Sequence, residues 1–229
     1  MQLTKGTFVR TSFGQGYRYP TITERYMMTK AGLFGSYANP DLKPEKSKSF
    51  ELGLKQGYKV GRLMGYIDIA GFYQHYENTI EYLFGVWDPT FTVVGFKFMN
   101  TGTSRVRGID ISVVGKTDEK KKFSMLGMFG YTFVDPVSLE PDLIYGQTGS
   151  LQPGTPGENL SYNSTSYNSE GNILKYRFKH LVKADLEFTY TKFVLGFSYR
   201  YYSKMENVDR SLGDIELITE SAYPYFEKI

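Results

Sequence analysis

Two histidines, His75 and His180, are the only imidazoles in this 229-residue chain, and it contains no cysteine. Thiolate nucleophiles, thiolate metal sites and disulfides are therefore excluded. An imidazole base needs a nucleophile and an orienting carboxylate within hydrogen-bond reach. Read as strand residues, His75 lies on the face opposite Asp68 and His180 on the face opposite Asp185, because side chains alternate along a strand. Pairing with an acid from another strand stays open, but the pattern argues against a hydrolase, and no catalytic residue, metal ligand or cofactor is assigned. Gly14-Gln15-Gly16 lacks the third glycine and the strand-to-helix setting of a dinucleotide loop. Asn159-Leu160-Ser161 and Asn163-Ser164-Thr165 match the glycosylation acceptor pattern as chance composition in a Ser/Asn-rich stretch.

What remains is aromatic. The chain has 20 Tyr, 17 Phe and 1 Trp beside 24 Gly. Tyr17, Arg18, Tyr19, Tyr37, Trp87, Tyr145, Tyr162 and Tyr167 fall in segments that read as loops, the last three among Gln147, Gln152, Asn159 and Asn163. Aromatic planes beside amide donors suit molecules with flat faces and hydroxyl edges, such as sugars or aryl siderophores. The same loops also fit solvated segments with no ligand role.

The elements that position these groups are strands. Period-two alternation marks seven segments, 7–16, 46–56, 63–81, 97–116, 123–135, 177–190 and 193–204. In the last, Phe193, Leu195, Phe197, Tyr199 and Tyr201 alternate with Gly196, Ser198 and Arg200. Phe8, Tyr66 and Phe72 break phase. Parity assigns Arg10, Glu51, Asp68, Asp110, Asp185, Glu187 and Arg200 to the polar face. Segment 21–26 reads as a short helix capped by Thr21 or Thr23.

The joins alternate strictly in length: 17–45 is long, 57–62 short, 82–96 long, 117–122 short, 136–176 very long and 191–192 minimal. An antiparallel meander with short turns at one end and long loops at the other is the plan of a transmembrane β-barrel. No run of 18 apolar residues offers a spanning helix. A soluble sheet with one face on a core yields the same alternation, so the loop asymmetry and the aromatic content are what favour the membrane. A net charge of +3 with no basic tract argues against nucleic acid.

Gly14-Gln15-Gly16-Tyr17-Arg18-Tyr19-Pro20-Thr21 and Asn39-Pro40-Asp41-Leu42-Lys43-Pro44-Glu45 bracket the first long loop. They resemble the FRAP and NPxLxPE signatures of TonB-dependent outer-membrane receptors. Ser49-Phe50-Glu51-Leu52-Gly53, Asn78-Thr79-Ile80, Asn100-Thr101-Gly102 and Arg107-Gly108-Ile109-Asp110 continue the resemblance in order. It implies an all-β, antiparallel up-and-down barrel of about 22 strands around an N-terminal plug, energised through a TonB partner in a Gram-negative cell. On that reading the chain holds about strands 13 to 19, without the plug or the last three strands. The eight loop residues then become candidates for binding a ferric siderophore, cobalamin or a glycan, and the polar-face charges become lumen or plug contacts. Haem receptors of the family carry a histidine between the two loop boxes, and none occurs here between Pro20 and Asn39. The competing readings are a soluble carbohydrate-binding β-domain and an outer-membrane porin or enzyme. Recruiting 221–229 as an eighth strand to close a small barrel conflicts with Pro224.

Overall fold

The computed structural model describes residues 2–4, 6–32, 34–87, 94–117, 122–148 and 157–210. The Gln152 position, most of the Pro-Gly turns near 153–157 and the segment 221–229 lie outside the described residues. In chain order the strands are β1 (Gln2–Thr4), β2 (Thr7–Arg18), β3 (Thr29–Ala31), β4 (Phe34–Tyr37), β5 (Glu45–Val60), β6 (Leu63–Glu77) and β7 (Ile80–Val86). They continue as β8 (Val94–Asn100), β9 (Ser104–Lys116), β10 (Phe123–Ser138), β11 (Gly146–Gln147), β12 (Asn159–Leu160), β13 (His180–Tyr190) and β14 (Phe193–Tyr202). Two short helices, α1 (Ile22–Tyr26) and α2 (Tyr162–Thr165), sit in the long joins.

The seven expected strands form one antiparallel sheet, β2-β5-β6-β9-β10-β13-β14, in sequence order, with short β1 added at the edge beside β2. The sheet is open. Sixteen residues of β5 extend about 53 Å along the strand, enough to cross a hydrocarbon layer at the usual barrel tilt of about 45°. Two-residue joins close β5 to β6 and β13 to β14. Their first positions, Gly61 and Thr191, have φ of 59° and 54°, the left-handed region such tight hairpins require.

Most strand ends differ from expectation by a few residues, and two segments are cut short or broken. The 63–81 segment ends its ladder at Glu77, and 97–116 is broken at 101–103. Asn78 and Gly102 take φ of 55° and 92°, and the Thr79 N–H donates to the Gly102 carbonyl at 2.8 Å. The chain therefore leaves the wall at Asn78, and β7 and β8 pair with each other in a separate four-stranded sheet, β3-β4-β8-β7.

Register makes the faces uniform. Val9, Leu54, Ile69, Ile111, Tyr131, Val182 and Tyr201 stand side by side in one row across all seven strands. Among the described residues no second layer covers this face: Phe129 is 44% and Phe197 58% exposed, and Tyr199 is also open. The other face carries Arg10, Glu51, Asp68, Asp110, Asp185 and Arg200, and two of its out-of-phase aromatics have partners. Lys55 Nζ lies 3.6 Å above the Tyr66 ring, and Phe72 fills the space over Gly108, where a Cβ would come within 2.6 Å of its Cζ. Buried apolar side chains gather instead at the long-loop end, around Leu42, Leu83, Phe84, Met99, Leu160 and Leu174.

Candidate functional site: the layer of long loops

The first loop is held by the residues that bracket it. Asn39 Nδ2 donates to the Phe98 carbonyl at 2.7 Å. Asn100 Oδ1 accepts from the Lys43 amide at 2.8 Å, and its Nδ2 donates to the carbonyls of Lys43 and Asn78 at 3.1 and 2.9 Å. Glu45 Oε2 accepts from the Ile80 amide at 2.9 Å. The Asn-Pro, Asn78-Thr79 and Asn100-Thr101-Gly102 boxes thus meet at one seam, where they satisfy backbone groups that leave the sheet ladder. Helix α1 is closed by a capping box between Thr21 and Glu24, and Arg25 Nε donates to the Pro40 carbonyl at 2.9 Å.

A second seam is charged and dry. Lys175 and Asp209 are 0% and 1% exposed, with Nζ and Oδ1 at 2.6 Å. Asp209 Oδ2 also accepts from the Phe84 amide and from the Tyr176 hydroxyl, each at 2.7 Å, and Lys175 Nζ donates to Thr165 Oγ1 at 2.6 Å. Two long joins therefore converge on one carboxylate from beyond β14. Beside it, Glu81 is buried and pairs with Arg177 at 3.3 Å. Burial pushes the Lys175 ammonium below the ordinary lysine range against the pull of Asp209, and lifts Glu81 above the usual carboxylate range against the pull of Arg177. Sequence reading missed this cluster. The available signal was a lysine directly after Ile173 and Leu174 in the long join 136–176.

The eight aromatic and cationic candidates are not brought together. Tyr19 and Tyr167 are open to solvent, and Tyr37 is half-buried. Trp87 is half-buried, its Nε1 donating to the Gly95 carbonyl at 2.9 Å and Lys97 Nζ lying 5.7 Å from its ring. Tyr145 is half-buried, with its hydroxyl 2.7 Å from Thr165 Oγ1. Tyr162 departs from expectation: at 1% exposure it is a core residue of the loop layer, its hydroxyl donating to the Ile173 carbonyl at 2.6 Å. A ring so placed cannot meet a ligand without opening the layer. Arg18 is engaged by Glu24 at 2.6 Å and Glu45 at 3.6 Å. Tyr17 shares a face with Val9, Phe13 and Lys46, so it stands on the outer apolar side rather than over the polar one.

The polar face holds ordered ion pairs. Arg10 reaches across β5 to bond Asp68 on β6, and its Nε contacts Glu51 at 2.9 Å. Gly53 makes that reach possible, since a Cβ there would lie 2.7 Å from Arg10 Cζ. Thr132 Oγ1 donates to Asp110 at 3.1 Å, and Arg200 Nη2 contacts both oxygens of Asp185 at 2.9 and 3.0 Å. His180 faces the apolar side, where its Nδ1 lies 2.9 Å from the Tyr131 hydroxyl.

Residues 2–223 match the family model described as TonB dependent receptor-like, beta-barrel. Over 80 residues the chain is 34% identical to the hemoglobin-haptoglobin utilization protein B of Neisseria meningitidis serogroup C, covering 35% of this chain and 9% of that protein. Over 106 residues it is 29% identical to the vitamin B12 transporter BtuB of Vibrio vulnificus (strain YJ016), covering 46% of this chain and 15% of the transporter. The chain thus spans only a small part of the length of the curated relatives it matches. Among solved structures it superposes on the Serratia marcescens hemophore receptor HasR, in complex with its hemophore HasA and heme, with a TM-score of 0.53 at 16% identity over 91% of this chain and 32% of that one. A mutant ferric enterobactin receptor of Pseudomonas aeruginosa, PfeA, in complex with enterobactin, gives 0.52 at 13% identity over 92% and 28%. At such identities the likeness concerns the fold, an antiparallel wall under long loops. With nearly the whole sequence inside the family model and the motif boxes joined at one seam, the chain belongs to the TonB dependent receptor-like β-barrel family.

Proposed function

We propose that this chain is barrel wall of an outer-membrane importer that takes a scarce, large nutrient into a Gram-negative cell: a ferric siderophore, cobalamin or a glycan. The observation that carries the reading is the uncovered apolar face, one continuous row across seven strands, backed by a face of charges. Hydrocarbon outside and water inside is the arrangement in which both faces are solvated correctly. The family supports an outer-membrane setting, and the similar proteins are named for hemoglobin-haptoglobin utilization, vitamin B12 transport, a hemophore and ferric enterobactin. Cargo is met by the long loops, with Tyr19, Tyr37, Trp87 and Tyr167 as the accessible contacts. Arg10, Glu51, Asp68, Asp110, Asp185 and Arg200 line the lumen and face the receptor's own plug, which the TonB system moves. No residue of the wall makes or breaks a bond.

The test is deletion of the complete gene, followed by growth on a ferric siderophore as sole iron source, cobalamin as sole corrinoid, or an oligosaccharide as sole carbon. Loss of one of these, restored by the gene only when TonB is present, is the expected result. Unimpaired growth on all three, or a full-length protein that stays monodisperse without detergent, overturns the reading.

A further inference from the structure

The outward face is apolar along most of its height and changes at the long-loop end. Four cations stand on it within the strands of the large sheet: Lys46 and Lys48 on β5, Arg105 and Arg107 on β9. Lys48, His75 and Arg105 are direct cross-strand neighbours, and Arg107 stands beside Tyr73 one step lower. The carboxylates facing them are Asp135, 3.4 Å from Arg105 and 2.8 Å from Arg107, and Glu77, paired in register with Lys46. Cations exceed carboxylates by two. Lys48 has no ion-pair partner among the described residues, and the Nε of Arg105 is buried without an acceptor. A cleft of about 220 Å³ opens here, lined by Gln15, Tyr17, Lys46, Lys48, His75 and Glu77. Immediately below lie Phe13, Phe50, Tyr73 and Ile109, all exposed.

We propose that this rim is a binding site for the phosphate groups of an outer-leaflet glycolipid of the lipid A type. Its acyl chains lie down the Phe13, Phe50, Leu52 and Ile109 surface. The inference rests on the apolar face meeting lipid. Position separates a lipid from a free anion: a soluble phosphate has no use for the exposed apolar surface joined to the cations, whereas an anionic amphiphile matches both parts at their junction. Basic residues next to a hydrocarbon band recruit anionic headgroups in this way, and the exposed Lys48 and Arg107 supply donors that a phosphate oxygen accepts.

The full-length receptor, purified in detergent, is titrated by native mass spectrometry with bisphosphorylated lipid A, with the same lipid after dephosphorylation, and with inorganic phosphate. Bisphosphorylated lipid A is expected to bind about thirtyfold more tightly than the dephosphorylated form, the effect of roughly two surface cations on an anionic headgroup. The K48Q/R105Q receptor is expected to lose most of that preference, and K48R/R105K to keep it. Equal affinity for both lipids overturns the proposal on the wild-type protein alone, whether or not the variants assemble. So does inorganic phosphate displacing the lipid at equal concentration, because the site then belongs to a free anion. A receptor soluble without detergent defeats the membrane reading itself. A detergent-dependent receptor indifferent to phosphorylation defeats only the glycolipid site.

Discussion

Asp209 and Lys175 meet at 2.6 Å with neither side chain exposed, and the same aspartate receives the Phe84 amide from a different long join. One carboxylate from beyond β14 thereby ties the join after β10 to the β7 strand. Two charges removed from water are tolerated because both oxygens of Asp209 are engaged, Oδ1 by Lys175 and Oδ2 by Phe84 and Tyr176.

Removing one member of this pair leaves the other charge buried. Lys175→Met in the full-length receptor is expected to destabilise the loop layer by about 3–5 kcal/mol, while the Lys175→Met/Asp209→Asn double change costs less than the two singles summed. Protease sensitivity of 160–176 on the assembled receptor reads the effect. Additive singles would show that the two residues do not interact.

The loop layer should respond to pH through Glu81. Its carboxyl titrates above the 4.5 of an exposed glutamate because burial disfavours the charged form. A raised folded-state pKa contributes stability that is complete below the unfolded value and lost as pH climbs through the folded one. Amide exchange of 80–86, corrected for intrinsic rates, is therefore expected to quicken from mildly acidic pH upward, and Glu81→Gln to flatten the dependence. A flat wild-type profile contradicts this.

Asn100 separates shape from hydrogen bonding at the first seam. Asn100→Ala removes one acceptor and two donated bonds, a loss of about 2 kcal/mol. Asn100→Asp, though isosteric, turns an oxygen toward the Lys43 and Asn78 carbonyls and is expected to be at least as damaging. Cleavage of 39–45 by a dilute protease ranks the three proteins; an Asp variant as resistant as wild type rejects the assignment.

Glycine tolerance should differ within one sheet. A Cβ at Gly108 would sit 2.0 Å from the Phe133 carbonyl oxygen of the neighbouring strand, whereas at Gly71 the nearest atom is 4.0 Å away. Gly108→Ala is expected to cost about 3 kcal/mol or more by overpacking and to lower the yield of assembled barrel, with Gly71→Ala close to wild type. The compact band on unboiled gels measures both.

Strand existence and facing were legible from residue order alone, because a pleated chain sends alternate side chains to opposite faces and the apolar row from Val9 to Tyr201 obeys that rule without exception. Parity also placed Arg10, Asp68, Asp185 and Arg200 together on the polar side, and Thr21 was one of two readings for the cap of α1. Alternation could not show where the ladder stops. Tyr82, Phe84, Phe96 and Phe98 continue a strand pattern past Asn78, and only the left-handed turns at Asn78 and Gly102 send them into a second sheet. Nor could it distinguish an accessible loop tyrosine from a buried one: Tyr162 and Tyr167 lie five residues apart in equally polar sequence, yet one is sealed and the other open. Periodicity is a local property carried by the backbone geometry of neighbouring residues. The closing of Lys175 on Asp209, 34 positions apart, and the gathering of Lys48, Arg105 and Arg107 at one rim depend on strand register and loop packing, which only the tertiary structure decides.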